Sequence, residues 1–408
     1  MILRKLVSSF ALIAGVLLCA ACSPQRPSDY DSELRQLDAA LNGVEPGAER
    51  NVATAGRYLY LLYSRATLTG DPAGFARALT VVESMPESLP RMELLRAKLD
   101  YQLHRLPEFR RRLAELMQNP DDEIIALNAD LATQEGRYDV AQQSYETAIH
   151  SEASWDRLAR LAYLHGVRGR IDIAQQLYAK AAAQLDARQM RHYAWLEVQQ
   201  GALEFRRGQF DAARQHYKLA DRAYSGYWLV ADYSAELAAA ERRFDRAIEL
   251  YRRALVQAPR PELQQALGDV YALAGDATQA SLWHERALAG YLESVQRGEV
   301  HYLHHLAGFY ADVRHDGEEA LRWARQDFEL RGGPNARDAL AWALFRDSQI
   351  EASLEQIDAA LAAGVSDPHM FFHAAMIHLA AGRAEEGRAF LRKAAAANPR
   401  YDSFHVHR

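Results

Sequence analysis

Cysteine is nearly absent from this 408-residue chain. The only two cysteines, Cys19 and Cys22, both lie in the N-terminal segment. A body without cysteine can form no internal disulfide, no thiolate zinc or iron–sulfur site and no redox CxxC pair. Protein classes that depend on these groups are therefore excluded for everything after residue 22.

Motifs for nucleotide binding and hydrolysis are lacking as well. The chain has no P-loop, no glycine-rich dinucleotide fingerprint and no GxSxG sequence. The glycine-rich run at Gly332 and Gly333 precedes Pro334 and predicts a turn between two helices. Paired carboxylates such as Glu318 and Glu319 fit the solvated face of an amphipathic helix. The sequence therefore predicts a protein that is not an enzyme and needs no cofactor.

Basic stripes and long apolar runs are also missing. The formal net charge is −6, and loss of Arg4 and Lys5 with an N-terminal signal would leave −8. Because phosphate neutralisation supplies most of the affinity for nucleic acid, such a chain is a poor nucleic-acid binder. No stretch after residue 18 approaches the 18 apolar residues of a membrane-spanning helix.

The N-terminus has the pattern of a processing signal. Arg4 and Lys5 precede an uncharged apolar run from Leu6 to Leu18, which is short for a membrane span but suits a signal-peptide core. The small residues Ala20 and Ala21 then precede Cys22. An ordinary secretory signal cleaved near Ala21, giving a soluble product, is the alternative interpretation.

This N-terminal pattern resembles the lipobox of bacterial lipoproteins, although Cys19 stands where the usual leucine is found. The resemblance implies cleavage before Cys22 and lipidation of that residue, with stable membrane anchoring. Ser23, in place of an aspartate, implies the outer membrane, with the protein facing the periplasm. The polar stretch from Ser23 to Asp29 is predicted to be a flexible tether.

What the chain does contain is a repeated helical phrase. Small residues recur at related positions, with spacings of 33, 39, 34 and 33 residues: Ala141, Ala174, Ala213, Ala247 and Ala280. Looser copies follow at Ala320, Ser353 and Gly387, and Phe75 and Phe109 mark two degenerate units upstream. A period of this length indicates a solenoid in which each unit buries its apolar face against its neighbours.

The phrase resembles the tetratricopeptide repeat, a pair of antiparallel helices with small residues at the closest helix contacts. The resemblance implies an all-α solenoid of about ten helix pairs from near Val52 to Asn398. The two longer spacings predict extended second helices near residues 181–191 and 287–296. The resulting division is 1–21 signal peptide, 22–50 lipidated tether and lead-in, 51–400 solenoid and 401–408 C-terminal tail.

The resemblance also implies which side chains line the concave groove. In the middle units the groove positions hold carboxylates, namely Asp232, Glu236 and Asp269, so the Lys–Asn–Arg clamp that some relatives use for acidic peptides is missing. In the C-terminal units they hold aromatic, histidine and methionine side chains, which suit a peptide partner. These candidate partner-binding residues are Tyr302, His305, Phe309, Trp342, Phe345, His369, Phe372 and Met376. A one-residue error in phase would instead make them interhelical core.

Histidines raise the question of a metal site. His301, His304 and His305 could share one helix face, His369, His373 and His378 form a second group, and His405 and His407 end the chain. No HExxH motif or completing carboxylate accompanies them, so no metal site is predicted.

The sequence thus favours a lipid-anchored periplasmic scaffold that binds envelope proteins or peptides during complex assembly or export. The alternative is a periplasmic accessory protein that handles a ligand or metal with its C-terminal histidines and aromatics.

Overall fold

The computed structural model describes residues 28–44, 52–85 and 91–401, and this part contains helices and no strands. The helices are α1 Asp29–Asn42, α2 Val52–Thr69, α3 Pro72–Glu83, α4 Met92–Gln102, α5 Leu106–Leu116, α6 Asp122–Gln134, α7 Tyr138–Ser151, α8 Trp155–Val167, α9 Ile171–Ala182, α10 Met190–Arg206, α11 Phe210–Ala223, α12 Trp228–Ala240, α13 Phe244–Gln257, α14 Pro261–Ala274, α15 Ala277–Gln296, α16 Leu303–Gly308, α17 Gly317–Arg331, α18 Pro334–Arg346, α19 Ile350–Ala362, α20 Pro368–Ala380 and α21 Ala384–Ala397. Helix α16 continues as a π-helix, Phe309–Arg314.

Helices α2 to α21 form ten consecutive antiparallel pairs, from α2/α3 as pair 1 to α20/α21 as pair 10. The predicted all-α solenoid is therefore confirmed, with its limits at Val52 and Ala397. The small residues that revealed the period are all buried, including Ser353 and Gly387 in the loosest units. Small side chains at these positions let the two helices of a pair approach closely, since a larger one would separate the backbones.

One of the two predicted helix extensions is present and one is wrong. Helix α15 has 20 residues and ends at Gln296, as expected. In the earlier unit, however, α9 stops at Ala182, and the extra length belongs to the 17-residue α10. The Asp186 side chain accepts the backbone N–H of Arg188 at 2.8 Å. This local turn interrupts the helix because it offers the backbone an alternative hydrogen bond.

Helix α1 lies outside the repeat array but packs on it. Sequence analysis assigned residues 22–50 to a tether and lead-in, whereas Asp29–Asn42 forms a helix capped by Ser28. Asp29 accepts hydrogen bonds from both the backbone N–H and the hydroxyl of Ser225 at 3.0 Å. Tyr30 is fully buried in the core beside Tyr227. Residues 1–27 lie outside the described part, so the predicted signal and Cys22 do too.

The array coils tightly enough for its two halves to touch. At the turn inside pair 4, the backbone N–H of Ser366 donates a hydrogen bond to the Val167 carbonyl at 2.8 Å. Ser366 lies in the loop that precedes pair 10. The turn inside pair 1 likewise meets the second half, where the Trp228 indole N–H donates to the Leu68 carbonyl at 3.1 Å. Apolar clusters run across these contacts.

The same offset recurs along the chain. His104, in the turn of pair 2, contacts His301, just before pair 8, with ring centroids 4.9 Å apart and planes tilted by 37°. Gly136, in the turn of pair 3, lies against Pro334 at the start of pair 9. Gly208, in the turn of pair 5, lies against Asn398 after pair 10. In pair 1, Gly70 likewise lies against Arg260, just before pair 7. Each turn in the first half therefore meets the loop six pairs further on, so about six pairs complete one coil. We call these the inter-coil contacts.

The inter-coil contacts explain an asymmetry among the turns within pairs. In pairs 1 and 3–5 these turns contain glycine at positive φ, and a Cβ there would lie less than 3 Å from the other coil. Pairs 6, 8 and 9 carry Arg242, His315 and Ser348 at the equivalent positive φ, while Gly275 and Gly382 have no neighbour within 4 Å. Glycine in the turns of the first half thus has two roles: it adopts a positive φ, and its lack of a Cβ lets the two coils approach closely.

Within the described ranges no helix is both long and apolar enough to cross a bilayer.

Candidate functional site

The concave side of the coil encloses two connected cavities. Their walls come mainly from the first helices of the pairs, chiefly α8 and α10 in the first half and α18 and α20 in the second. Because the inter-coil contacts hold the halves together, these helices face one another across the interior. Six residues line both cavities: Tyr163, Gln199, Arg206, Asn335, Asp367 and Pro368. We call the pair of cavities the lumen.

The smaller cavity, of about 450 Å³, carries an excess of negative charge, and we call it the acidic chamber. Its carboxylates are Glu236, Asp312, Asp338 and Asp367, against a single arginine, Arg206. Its histidines are His304, His369 and His373, and its aromatic walls include Tyr163, Tyr233 and Trp342. Every one of its lining residues lies on, or caps, the first helix of a pair or its π-helical continuation.

An aromatic and carboxylate cluster organises one wall of the acidic chamber. The Trp342 ring stacks on His373 with centroids 4.1 Å apart and planes 12° apart. The Trp342 indole N–H donates to Asp312 at 2.9 Å, which fixes the orientation of the ring. His373 Nδ1 lies 3.0 and 3.1 Å from the two oxygens of Asp338. His369 approaches the same imidazole edge-on at 4.1 Å.

The charge of this chamber is reflected in the imidazole that it surrounds. Burial alone would lower the pKa of His373, because desolvation disfavours the charged ring. The Asp338 carboxylate outweighs burial, with Asp312 and Asp367 adding to it, so the pKa of His373 is raised. The local potential of the acidic chamber therefore favours positive charge.

The larger cavity, of about 820 Å³, has the opposite balance, and we call it the cationic chamber. Its basic residues are Arg160, Arg206, Arg207 and Lys393, against Asp130 and Asp367. Asp130 is held at 2.7 Å by Arg160 and at 2.6 Å by the Tyr145 hydroxyl. Five tyrosines line this cavity: Tyr101, Tyr138, Tyr145, Tyr163 and Tyr178. Tyr163 is 42% exposed although it faces the interior, so water reaches the lumen.

The eight predicted groove residues fall into different places. Trp342 and the exposed His369 line the acidic chamber. Phe345 stacks on Trp342 with ring centroids 4.9 Å apart. Phe372 and Met376 are partly buried along α20, and neither lines the two chambers.

Two of the eight lie in the core instead. Phe309 is fully buried and Tyr302 is 5% exposed, both packed around Tyr291. His305 stacks on the same tyrosine at 5.7 Å. These three residues therefore follow the alternative that sequence analysis left open, interhelical packing, because they lie against Tyr291 of the extended helix α15.

The histidine groups do not converge on a metal geometry. In the described residues no group of three or more histidine, cysteine, aspartate or glutamate side chains could hold a metal ion. His304 pairs with Asp327 at 3.3 Å, and His378 pairs with Asp358 at 3.2 Å. His301 points toward His104, where burial lowers its pKa well below the usual value. His405 and His407 lie outside the described residues.

Sequence reasoning missed most of the acidic chamber. Glu236 was assigned to the groove, but Asp312, Asp338, Asp367 and Arg206 were not. A signal was available for Asp338 alone, since it stands four residues before Trp342 on one face of α18. Asp269, also assigned to the groove, is instead held by His284 at 2.8 Å.

Comparisons with known proteins leave the family open. No family model matches the sequence, and no curated protein is significantly similar to it. Among solved structures, the human IFIT1 dimer with PPP-AAAA is 14% identical to this chain, with a TM-score of 0.47. The match covers 90% of this chain and 86% of the IFIT1 chain. The Cut9–Hcn1 hetero-tetramer of the APC/C is 14% identical with a TM-score of 0.43. The match covers 91% of this chain and 80% of the other.

A tetratricopeptide repeat protein from Parabacteroides merdae is 16% identical with a TM-score of 0.37, covering 60% of this chain and 93% of its own. At these identities and scores the likeness carries no functional argument. The fold assignment rests on the ten helix pairs themselves.

Proposed function

We propose that this protein is a lipid-anchored scaffold that faces the periplasm and binds segments of envelope proteins in its lumen. The observation that carries the proposal is the lumen itself, a water-accessible interior lined by the first helices of pairs from both halves. Solenoids of this kind bury their helix faces against neighbouring repeats and leave the concave surface for partners. The two chambers have the dimensions of ligand sites.

Anchoring is the second element of the proposal, and it rests on the lipobox-like sequence ending at Cys22. Only the five residues 23–27 separate Cys22 from Ser28, the cap of the docked helix α1. An extended chain spans at most about 3.6 Å per residue, so an anchored protein would stand within about 20 Å of the bilayer at this point. The partners would then be envelope proteins that reach the membrane surface.

In-cell photo-crosslinking tests the scaffold proposal. A photoreactive amino acid replaces His369, which is exposed inside the acidic chamber, or Val256, which is 85% exposed and does not line either chamber. We expect the probe at 369 to capture a defined envelope protein and the probe at 256 to leave it free. Equal capture at both positions, or none at 369, would contradict binding in the lumen.

Membrane fractionation tests the anchor separately. Cys22→Ala removes the proposed lipid acceptor, so the protein is expected to move from the outer-membrane fraction to the soluble periplasmic fraction. An unchanged distribution would refute lipid anchoring at Cys22 and leave binding in the lumen unaffected.

A small-ligand accessory role is the second candidate, and the compact cluster of Trp342, His369 and His373 in a cavity of about 450 Å³ favours it. Crosslinking distinguishes the two, since a small ligand would leave no captured protein.

A further inference from the structure

We propose that the acidic chamber receives a basic side chain, an arginine guanidinium or a lysine ammonium, from a partner polypeptide. This inference rests on the proposed scaffold function and names the chemistry of the partner. It concerns the wall formed by α16 with its π-helix, by α18 and by the start of α20.

The first argument is the state of the carboxylates. Asp312 uses Oδ1 to accept the Trp342 indole N–H, and Asp367 uses Oδ1 to accept backbone N–H groups of its own helix. Both carboxylates are thus held in place by neutral donors, so both keep their negative charge at the chamber wall. A bound cation with several N–H donors would neutralise that charge and form charge-assisted hydrogen bonds.

The second argument is the aromatic wall. The rings of Tyr163 and Tyr233 line the same cavity as the carboxylates, beside Trp342, whose ring stacks on His373 and Phe345. Aromatic faces attract guanidinium and ammonium groups, and they pack against the alkyl stems of arginine and lysine. Carboxylates and rings together recognise a cation on an apolar stem, and the excess of carboxylates repels phosphate and other anions.

The third argument comes from an internal reporter of the potential. Three carboxylates of the chamber raise the pKa of His373 against the opposing effect of burial. A second cation in the remaining space would experience the same field, since Asp312 and Asp367 are not paired with His373 directly.

The cationic chamber explains why the cation should belong to a polypeptide rather than to a free amine. It joins the acidic chamber through six common lining residues and adds about 820 Å³ of space lined by tyrosines. A free amine would leave this space unused. An extended segment can place a basic side chain at Asp312 and continue past Arg206, whose charge suits a carboxylate or carbonyl group of the same segment.

Selection from a random peptide library displayed on phage tests the inference with the purified full-length protein. We expect the enriched sequences to share an arginine or lysine. Their affinity should fall about ten-fold when Asp312→Asn and Asp367→Asn are combined, because the double variant removes two of the four carboxylate charges that line the chamber. At each position asparagine keeps the one oxygen, Oδ1, that accepts these hydrogen bonds, so the Trp342 hydrogen bond and the cap of α20 remain.

The control variant Glu318→Gln/Glu386→Gln removes the same two charges from exposed positions outside both chambers. It should leave the affinity within two-fold. Three outcomes would overturn the inference: enrichment of acidic or neutral sequences, no enrichment, or basic peptides whose binding ignores the lumen variant. If the probe at position 369 captures a protein but one of these three outcomes occurs, the proposed scaffold function stands and only the inference fails. If basic peptides bind as expected but the probe captures no protein, only the proposed scaffold function is overturned.

Discussion

At the scale of single residues, histidines show how far local sequence and environment can diverge. The chain has 15 histidines, and nothing in the sequence separates the raised pKa of His373 from the lowered pKa of His104. The difference arises from tertiary neighbours: three carboxylates surround His373, whereas His104 is enclosed between the coils, with Arg331 and His304 opposing its protonation. Spacing along a helix carries no information about residues some 200 positions away.

The contact between His104 and His301 predicts a specific dependence of stability on pH. Burial lowers the pKa of His104 to about 3 and that of His301 well below its usual value. The unfolded chain, with imidazole pKa values near about 6.5, binds more protons than the folded chain below that pH. The contribution of this pair to stability is therefore complete above pH 6.5 and is lost as the pH falls toward 3.

His104→Asn removes one of these groups, and asparagine tolerates the φ of 57° at this position. Between pH 6.5 and 5 we expect the free energy of unfolding to fall less steeply in the variant, by up to about 1 kcal/mol per pH unit. Urea denaturation at several pH values measures this slope. The exposed His150→Asn serves as control and should keep the wild-type slope; an unchanged slope in His104→Asn would refute the account.

At the scale of elements, most of the helices were predictable and the inter-coil contacts were not. The start near Val52, an end close to the predicted Asn398, the buried alanines and the long α15 all follow from periodicity and helix-ending signals. The end of α9 and the docking of α1 did not, because an Asx turn and a contact with Ser225 decide them. The π-helix that continues α16 was not predicted either, because a 3.6-residue period assumes regular α-helical hydrogen bonding.

The turns inside the pairs allow the inter-coil contacts to be tested. Gly136 and Gly382 have nearly equal φ values of 77° and 75°, but only Gly136 lies against Pro334, where a Cβ would come within 2.6 Å of the ring. Gly136→Ala and Gly382→Ala should both lose about 1 kcal/mol from the left-handed backbone. Gly136→Ala should lose a further 1–3 kcal/mol, roughly the cost of overpacking a rigid contact.

Chemical denaturation of the two glycine variants gives this difference directly, and hydrogen exchange in α18 should rise only in Gly136→Ala. Equal losses in the two variants would mean that the coils do not touch at this turn in solution.

At the scale of the whole molecule, closure of the coil decides what kind of surface the protein offers. An open solenoid would present a long groove, whereas the inter-coil contacts enclose two chambers of opposite charge. The carboxylates of the middle and C-terminal units then face the same space as the aromatic side chains. This arrangement is what turns separate groove positions into a candidate binding site.

An engineered disulfide tests closure. In a Cys19→Ser/Cys22→Ser background, Gly169→Cys and Ser366→Cys would place Cβ atoms within 2.9 Å. A disulfide requires about 3.8 Å, so a shift of roughly 1 Å allows the bond. We expect mild oxidation to link the two residues, visible as faster migration on a non-reducing gel and a loss of two mass units.

The control pair combines Ser366→Cys with Gly275→Cys, a turn glycine with no neighbour within 4 Å, and should remain reduced. Failure of the 169–366 pair to crosslink would show that the two coils separate in solution, and the enclosed lumen would then be lost.

By itself, the sequence determined the all-α class, the repeat period and the limits of the array, and it predicted the lipidation signal at Cys22. These follow from interactions within about 40 residues, which periodicity and helix-ending signals record directly. Only the tertiary structure decided the inter-coil contacts, the docking of α1 and the charges of the two chambers. They depend on the small rotation between successive pairs, which accumulates over six repeats and brings together residues that no local pattern connects.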